Sequence, residues 1–143
     1  MKYNEVLIVE DNPYDADLSL RILKENSLIE KVSVVEDGEE ALDFIFDQSE
    51  YPKSKLSPFL KVIFLDIKLP KVNGFEILRE IKSNVSTKNI PIVVFTSSNQ
   101  AIDISTAYNL GASSYVVKPV DYDDFAKTVK EMGYYWIGVN KIE

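Results

Sequence analysis

The sequence predicts a doubly wound α/β fold, in which five parallel strands alternate along the chain with helices. Short apolar runs rich in β-branched residues are typical of strands that are buried on both faces of a parallel sheet. Four of these runs end in chemically reactive side chains, namely Glu10 with Asp11, then Asp66, Thr96 and Lys118. Because ligands of such folds bind at the carboxyl ends of the strands, we expect the functional site there.

The first half of the chain contains two strand–helix units, with strands predicted at 6–9 and 32–35. Asn12 is suited to cap the first helix, with Pro13 at its first position. The apolar face of that helix is predicted from helical spacing: Ala16, Leu20 and Leu23, with Leu18 and Ile22 beside it. Asp37 and Gly38 predict a turn before the second helix. The polar stretch 51–58 contains two prolines and is expected to be a loop.

The second half continues the same alternation, with a third strand that ends at Asp66. A loop over 69–74 precedes the third helix, and the fourth strand starts after Pro91. Ser98 or Asn99 is expected to cap the fourth helix, which ends at Gly111. The fifth strand is predicted at 114–117. Asp121 is expected to cap a last helix whose residues share one face: Phe125, Val129, Met132 and Trp136.

Composition excludes several kinds of chemistry. The 143 residues suit one domain and include neither cysteine nor histidine, so thiolate or imidazole metal sites and histidine-based catalysis are ruled out. The formal net charge of −7 argues against direct nucleic-acid binding. No apolar stretch has the length of a signal peptide core or a membrane span, so we expect a cytoplasmic protein without a membrane partner.

If the strand ends converge, the charged residues that follow them form a single site. Several carboxylates at one point repel each other and attract a hard cation, and Mg²⁺ prefers one or two carboxylates together with phosphate oxygens. Phosphoryl transfer needs the charge on the transferred group to be neutralised by cations. One Mg²⁺ and the ammonium group of Lys118 supply that charge, so the residues indicate metal-assisted phosphoryl chemistry on an aspartate.

Over essentially its whole length the chain resembles the receiver domain of bacterial response regulators. The resemblance rests on motifs at successive strand ends: Val9-Glu10-Asp11-Asn12, Leu65-Asp66, Leu69-Pro70, Asn73-Gly74, Thr96-Ser97, Gly111-Ala112 and Lys118-Pro119. It implies a flavodoxin-like five-stranded parallel sheet of order 2-1-3-4-5 with helices on both faces. It also implies that residues 1–143 form a single receiver domain with no output domain. The tail 117–121 and Tyr135-Trp136 resemble single-domain regulators paired with phytochrome-type kinases.

The resemblance assigns a role to each site residue. Asp66 resembles the phosphoacceptor, which takes a phosphoryl group from a histidine of a sensor kinase. Asp11, Asp66 and the backbone carbonyl of Lys68 would ligate Mg²⁺, while Glu10 would act through a bound water. Lys118 and Thr96 would each contact a phosphoryl oxygen.

Switching is implied by the same family pattern. Thr96 would move toward the phosphoryl group, and Tyr115 resembles the aromatic residue that swings inward behind it, changing the surface of the fourth helix, fifth strand and fifth helix. The Lys118–Pro119 bond resembles the family's cis peptide. Lys68 and Ser98 lie where the family tunes the lifetime of the phosphoryl group, and we do not predict that lifetime.

The expected partners are a sensor histidine kinase, of the phytochrome type by resemblance, and a downstream protein target or phosphotransfer protein. Tyr134, Tyr135, Trp136 and Ile137 are too many for one helix face, so part of this group is expected to contact a partner or a second copy of the chain. At most Mg²⁺-dependent self-phosphorylation and slow autodephosphorylation are expected, and no enzyme that turns over a separate substrate is expected.

Simpler interpretations exist for the individual residues, and other functions exist for the protein as a whole. Glu10 and Asp11 alone would fit a solvated helix entry, Asp66 a turn that ends a strand, and Lys118 a surface charge. Thr96 would fit a strand end, and Tyr115 a core aromatic. A receiver-like interaction module that works without phosphorylation is the main alternative function. A dehalogenase-type phosphatase would need a second acid where Lys68 stands, and a flavodoxin would need a Gly- and Ser-rich phosphate loop where the acid pair stands.

Overall fold

The computed structural model describes residues 4–46 and 60–141, and the predicted loop at 51–58 lies outside this part. Five strands alternate with five α-helices, and a π-helical segment follows the last of them. In chain order they are β1 (Glu5–Val9), α1 (Pro13–Lys24), β2 (Lys31–Val35), α2 (Gly38–Phe46), β3 (Leu60–Leu65), α3 (Gly74–Ser83), β4 (Ile92–Thr96), α4 (Ala101–Asn109), β5 (Ser114–Val117), α5 (Tyr122–Gly133) and the π-helical segment (Tyr134–Val139).

The strands form one parallel sheet in the order β2-β1-β3-β4-β5, as predicted. The chain reverses its direction of winding between β1 and β3, which are neighbours in the sheet. Val9 is paired with Leu65, and Leu65 is paired with Val94. This register brings the residues that follow β1 and β3 to one edge of the sheet, at the switch point where such folds bind ligands.

Alternation of side chains along the strands divides the core into two layers. Leu7, Val9 and Leu65 face α2, α3 and α4, where Ile77 and Leu78 are fully buried. The opposite layer lies under α1 and α5, and its buried strand and helix residues include Val6, Ile8, Phe64, Phe95 and Phe125. Among the described residues, helices therefore cover the sheet on both faces, and the predicted functional groups lie at its carboxyl edge.

Two glycines hold the loop between β3 and α3 close to the rest of the molecule. A Cβ on Gly74 would lie 2.4 Å from the Cα of Ile67 and 2.6 Å from the backbone oxygen of Asp66. A Cβ on Gly38 would lie 1.8 Å from the backbone oxygen of Val72. The absence of a side chain at both positions lets this loop pack against the start of α2 and fixes the backbone that follows Asp66.

Several helix boundaries agree with the sequence predictions. The Asn12 side chain accepts hydrogen bonds from the backbone N–H groups of Tyr14 and Asp15, and Pro13 opens α1. Asp121 caps α5 by accepting a hydrogen bond from Asp124. These caps place the first turns of α1 and α5 beside the carboxyl edge of the sheet.

The predicted cap of α4 was wrong, because the helix starts at Ala101 and Gln100 precedes it without a side-chain cap. The Ser98 hydroxyl instead donates to the Asp103 carboxylate at 2.5 Å and accepts the Gln100 N–H at 3.3 Å. Ser98 therefore does not cap α4, because its hydroxyl is hydrogen-bonded to Asp103 in the first turn of the helix.

Two further expectations need correction. In α1 the buried face contains Ser19 rather than Leu20, together with Ala16 and Leu23. The Lys118–Pro119 peptide bond is trans, the isomer that an X–Pro bond favours in the absence of other constraints.

The last helix does not continue with a regular pitch through its aromatic end. It widens to a π-helical segment after Gly133, whose position would not admit a Cβ without a contact of 2.7 Å to Leu23. Trp136 and Ile137 pack partly buried against the layer under α1 and α5, while Tyr134 and Tyr135 remain exposed. The change of pitch therefore distributes the four residues between the core and the surface.

Candidate functional site at the carboxyl edge of the sheet

The predicted site residues lie together at the carboxyl ends of β1, β3, β4 and β5. Glu10 and Asp66 directly follow β1 and β3, and both are almost completely buried, at 4% and 6% exposure. Their backbones continue the sheet, because the Asp66 N–H donates to the Val9 carbonyl oxygen at 3.0 Å. Asp11 is exposed at the mouth of this group. The sequence prediction of convergence is therefore met by residues more than fifty positions apart.

Lys118 joins these acids into one network. Its ammonium nitrogen lies 2.5 Å from Glu10 Oε1, 2.9 Å from Asp15 Oδ2 and 3.0 Å from Asp66 Oδ2, and its side chain is only 8% exposed. The Lys118 N–H donates to the Thr96 carbonyl oxygen at 2.7 Å, which ties the residue after β5 to the end of β4. An ammonium group has three N–H donors, so the three carboxylates satisfy it completely.

The environment changes the proton affinities of the buried pair. Burial raises the pKa of Glu10 from 4.5 to about 7, although the hydrogen bond from Lys118 acts in the opposite direction. Burial alone would lower the pKa of Lys118, but its hydrogen bond to Glu10 and the charge of Asp66 raise it above its ordinary value. Lys118 therefore stays protonated, and Glu10 is the group whose charge depends on pH near neutrality.

Three of the carboxylates are arranged to hold a cation. One oxygen from each of Glu10, Asp11 and Asp66 can be selected so that all three lie within 4.8 Å of one another. Hard divalent cations take oxygen ligands of this kind. The net charge of these three groups is only partly offset by Lys118, so the donor set fits a divalent cation and leaves Asp11 accessible from solvent.

Thr96 places a buried hydroxyl group without a hydrogen-bond partner at the same edge of the sheet. Its side chain is fully buried at the end of β4, and its hydroxyl oxygen has no hydrogen-bond partner. A buried hydroxyl without a partner costs free energy, which a ligand oxygen at the site would recover. Since β3 and β4 are neighbours, Thr96 and Asp66 lie at the same edge of the sheet.

Tyr115 connects the site to the surface of α4. Its hydroxyl donates to the Ser98 carbonyl oxygen at 2.9 Å, and its N–H donates to the Tyr108 hydroxyl at 3.1 Å. Its ring packs partly buried against the core layer under α2, α3 and α4. Burial raises the pKa of the Tyr115 phenol, and the nearby charge of Asp103 adds to this. Tyr115 therefore has both a core contact and a contact with the loop after Thr96.

Lys68 and Asp15 each make a contact that the sequence did not indicate. The Lys68 side chain is exposed, and its backbone N–H donates to Asp66 Oδ1 at 3.0 Å. Asp15 is not among the site residues predicted from the sequence, yet its carboxylate contacts Lys118. Asp15 lies in the first turn of α1, which faces the carboxyl edge of the sheet, but an acid in a first helical turn does not by itself indicate this contact.

These features match a known family. The response regulator receiver domain model matches residues 6–130, which include every site residue described above. The chain belongs to the response regulator receiver domain family, whose members act in two-component signalling with histidine kinases and downstream targets.

Two curated relatives cover nearly the whole chain. Response regulator Rcp1 from Synechocystis sp. is 35% identical over 132 residues, which are 92% of this chain and 88% of the relative. The probable methanogenesis regulatory protein FilR2 from Methanothrix harundinacea is 34% identical over 136 residues, which are 95% of this chain and 85% of the relative.

Solved structures with similar chains agree in fold. The Mn(2+)-bound form of response regulator Rcp1 superposes with a TM-score of 0.89 at 33% identity, covering 98% of this chain and 99% of that one. The phosphorylated cyanobacterial phytochrome response regulator RcpA gives a TM-score of 0.90 at 31% identity, with 98% of each chain covered. One of these relatives is thus described with a divalent metal and the other with a phosphoryl group.

Among residues 4–46 and 60–141, no helix has the length and apolar character required to cross a membrane.

Proposed function

We propose that Asp66 is the phosphoacceptor of this response regulator. A carboxylate oxygen of Asp66 attacks the phosphorus of a phosphohistidine on a sensor kinase, the phosphorus–nitrogen bond breaks, and an aspartyl phosphate forms. The observation that carries the proposal is the burial of Asp66 between the Lys118 ammonium group and the acidic cluster, beside an unsatisfied Thr96 hydroxyl. An ammonium group and a hydroxyl donor at this point match the charge that develops on transferred phosphoryl oxygens.

We propose Mg²⁺ as the cation, held by Asp11, Asp66 and the backbone carbonyl of Lys68, with Glu10 acting through a water molecule. When bound, the cation would neutralise phosphoryl charge and lower the repulsion among the carboxylates. Asp11 is exposed, which leaves room for the several waters that Mg²⁺ retains. Mn²⁺ binding in the Rcp1 structure supports the assignment of this cluster.

We propose that phosphorylation switches the surface of α4, β5 and α5 through Thr96 and Tyr115. A phosphoryl oxygen would accept a hydrogen bond from the Thr96 hydroxyl, which lacks a partner in this structure. Movement of Thr96 would displace the loop that carries Ser98, and Tyr115 would lose or change its hydrogen bond to that loop. A local charge is thereby coupled to a protein-interaction surface.

We propose a phytochrome-type sensor kinase as the phosphodonor, because the relative RcpA is described as a phytochrome response regulator. The downstream partner is a protein target or a phosphotransfer protein rather than nucleic acid, in keeping with the net charge of −7. We propose a cytoplasmic location, which is consistent with phosphotransfer from such a kinase.

We propose self-association through the exposed end of the π-helical segment. Tyr134 and Tyr135 are 65% and 47% exposed, and the Tyr135 ring lies edge-on to Trp136 with 5.0 Å between the ring centroids. Aromatic side chains are enriched at protein interfaces. Sedimentation of the wild type and of Tyr135→Ser, with Tyr14→Ser as a control elsewhere on the surface, tests this: a strict monomer at high concentration contradicts it.

Nuclear magnetic resonance with beryllofluoride, a phosphoryl analogue, tests the function itself. With Mg²⁺ present, the analogue is expected to shift the amide signals of Asp66, Thr96 and Tyr115 and of α4. Asp66→Ala is expected to abolish these shifts, whereas Asp43→Ala, which alters an acid of α2 outside the site, is expected to retain them. A wild type that does not respond, or an equal response in Asp66→Ala, would overturn the proposal and favour the phosphorylation-independent module.

A further inference from the structure

Asp15 is the member of the Lys118 network to which no role has been given above. The three acceptors of the ammonium group are Glu10, Asp66 and Asp15, at 2.5, 3.0 and 2.9 Å. The Asp15 side chain is about three-quarters covered, at 28% exposure. Two of the acceptors follow strands of the sheet, and Asp15 is the one supplied by a helix.

The backbone of Asp15 is held independently of Lys118. Its N–H donates to the Asn12 side chain at 3.1 Å, within the cap that starts α1. Asp15 does not belong to the group of Glu10, Asp11 and Asp66 that can hold a cation. Its carboxylate is thus a fixed acceptor for Lys118 on the side of the ammonium group that faces α1.

Lysine has a flexible side chain with a compact charge, so its position depends on the acceptors around it. The ring of Phe95 lies 6.0 Å from the Lys118 nitrogen and adds a weak contact. If Asp15 were absent, Glu10 would be the one strong acceptor outside the reacting carboxylate. The ammonium group could then rotate about this single contact, and its distance to Asp66 would no longer be fixed.

We propose that Asp15 is a positioning residue that, together with Glu10, holds the Lys118 ammonium group so that its third N–H is directed at the phosphoryl group on Asp66. The proposal rests on the proposed phosphorylation of Asp66. When the Asp66 oxygen–phosphorus bond forms and the donor bond breaks, a phosphoryl oxygen replaces the Asp66 oxygen as the third acceptor. Glu10 and Asp15 keep the other two N–H groups, so the lysine need not move far.

The test compares rates of phosphorylation by acetyl phosphate with Mg²⁺ in the full chain, where acetate leaves as the aspartyl phosphate forms. Asp15→Ala is expected to lower the maximal rate about tenfold, the effect of losing one charged hydrogen bond. Asp15→Asn keeps an oxygen acceptor and is expected to stay within about threefold of the wild type. Asp17→Ala removes the same charge from α1, but Asp17 pairs with Arg21 at the surface and is expected to have no effect.

A double-mutant cycle with Lys118→Met separates positioning from a general structural effect. In the Lys118→Met background, Asp15→Ala is expected to cause no further loss. An equal loss in both backgrounds, or the same loss in Asp17→Ala, would overturn the proposal, as would a wild-type rate in Asp15→Ala. Thermal unfolding of each variant checks that the fold persists. A wild type that is never phosphorylated would overturn both this inference and the proposed function, whereas a phosphorylated wild type with an unaffected Asp15→Ala would overturn this inference alone.

Discussion

Replacement of Lys118 by methionine tests the energetic role of the cation at the centre of the site. Methionine keeps an unbranched side chain but removes the ammonium group. Glu10 and Asp66 are nearly buried, and they would be left without their positive partner. Asp11 and Asp15 lie in the same group, so the wild type has four carboxylates around one ammonium group, whereas the variant has four carboxylates and no ammonium group.

The size of the effect follows from the burial of the pairs. Removing one partner of a buried ion pair costs about 3–5 kcal/mol, and we expect about 3 kcal/mol here because Asp11 and Asp15 remain hydrated. In a domain of this size each kcal/mol lowers the melting temperature by roughly 2–4 °C, so the expected decrease is about 6–12 °C. Protonation of Glu10, whose pKa burial already raises, reduces the cost at low pH.

Circular dichroism measures the thermal unfolding at pH 8, first with a chelator and then with excess Mg²⁺. The first measurement gives the loss of stability, and the second gives the part that Mg²⁺ restores. Mg²⁺ is expected to stabilise Lys118→Met more than the wild type, since a bound cation supplies the missing charge and stabilises by mass action. Lys71→Met is the matched control, because Lys71 pairs with Asp37 at the surface. If Lys118→Met melts no lower than Lys71→Met, or if Mg²⁺ restores nothing, the electrostatic reasoning is wrong.

Three further predictions concern neighbouring groups. Burial raises the pKa of Glu10 in the folded state from 4.5 to about 7. As the pH rises between these two values, the metal-free protein should therefore lose up to about 3 kcal/mol of its free energy of unfolding. The apparent affinity for Mg²⁺ should increase over the same pH range, because Glu10 becomes charged. Denaturant titrations and calorimetry should find both trends absent in Glu10→Gln. Thr96→Val should raise the melting temperature slightly, because an unsatisfied buried hydroxyl is removed, yet it should weaken the beryllofluoride response that Thr96→Ser retains; an unchanged response in Thr96→Val would contradict the role of Thr96. Tyr115→Phe should cost about 1 kcal/mol and speed amide exchange in the Ser98 loop, and unchanged exchange would contradict the contact between them.

The central strands and their reactive ends were predictable because buried parallel strands are continuous apolar runs. Asp66 and Lys118 each follow such a run, so the convergence of their charges required only that the strands share a sheet. The order of the strands came from the family resemblance rather than from periodicity. That residues 1–143 form one domain without an output domain stays a prediction.

The parts that were not predicted depend on tertiary contacts. Asp15 sits in a first helical turn, where an acid is already explained by the helix dipole, so no local signal distinguished its contact with Lys118. Ser98 looked like a cap, but Asp103 engages its hydroxyl. The π-helical segment arises where Gly133 packs against Leu23 and Trp136 packs against the core, which no sequence spacing indicated.

Intact-mass spectrometry with fragmentation, after incubation with acetyl phosphate, tests the account most directly. The account predicts that the protein gains the mass of one phosphoryl group when Mg²⁺ is present, that fragmentation locates this group on Asp66, and that a chelator prevents the gain. A phosphoryl group on another residue, or no gain of mass under conditions in which the protein is folded and Mg²⁺ is bound, would contradict it.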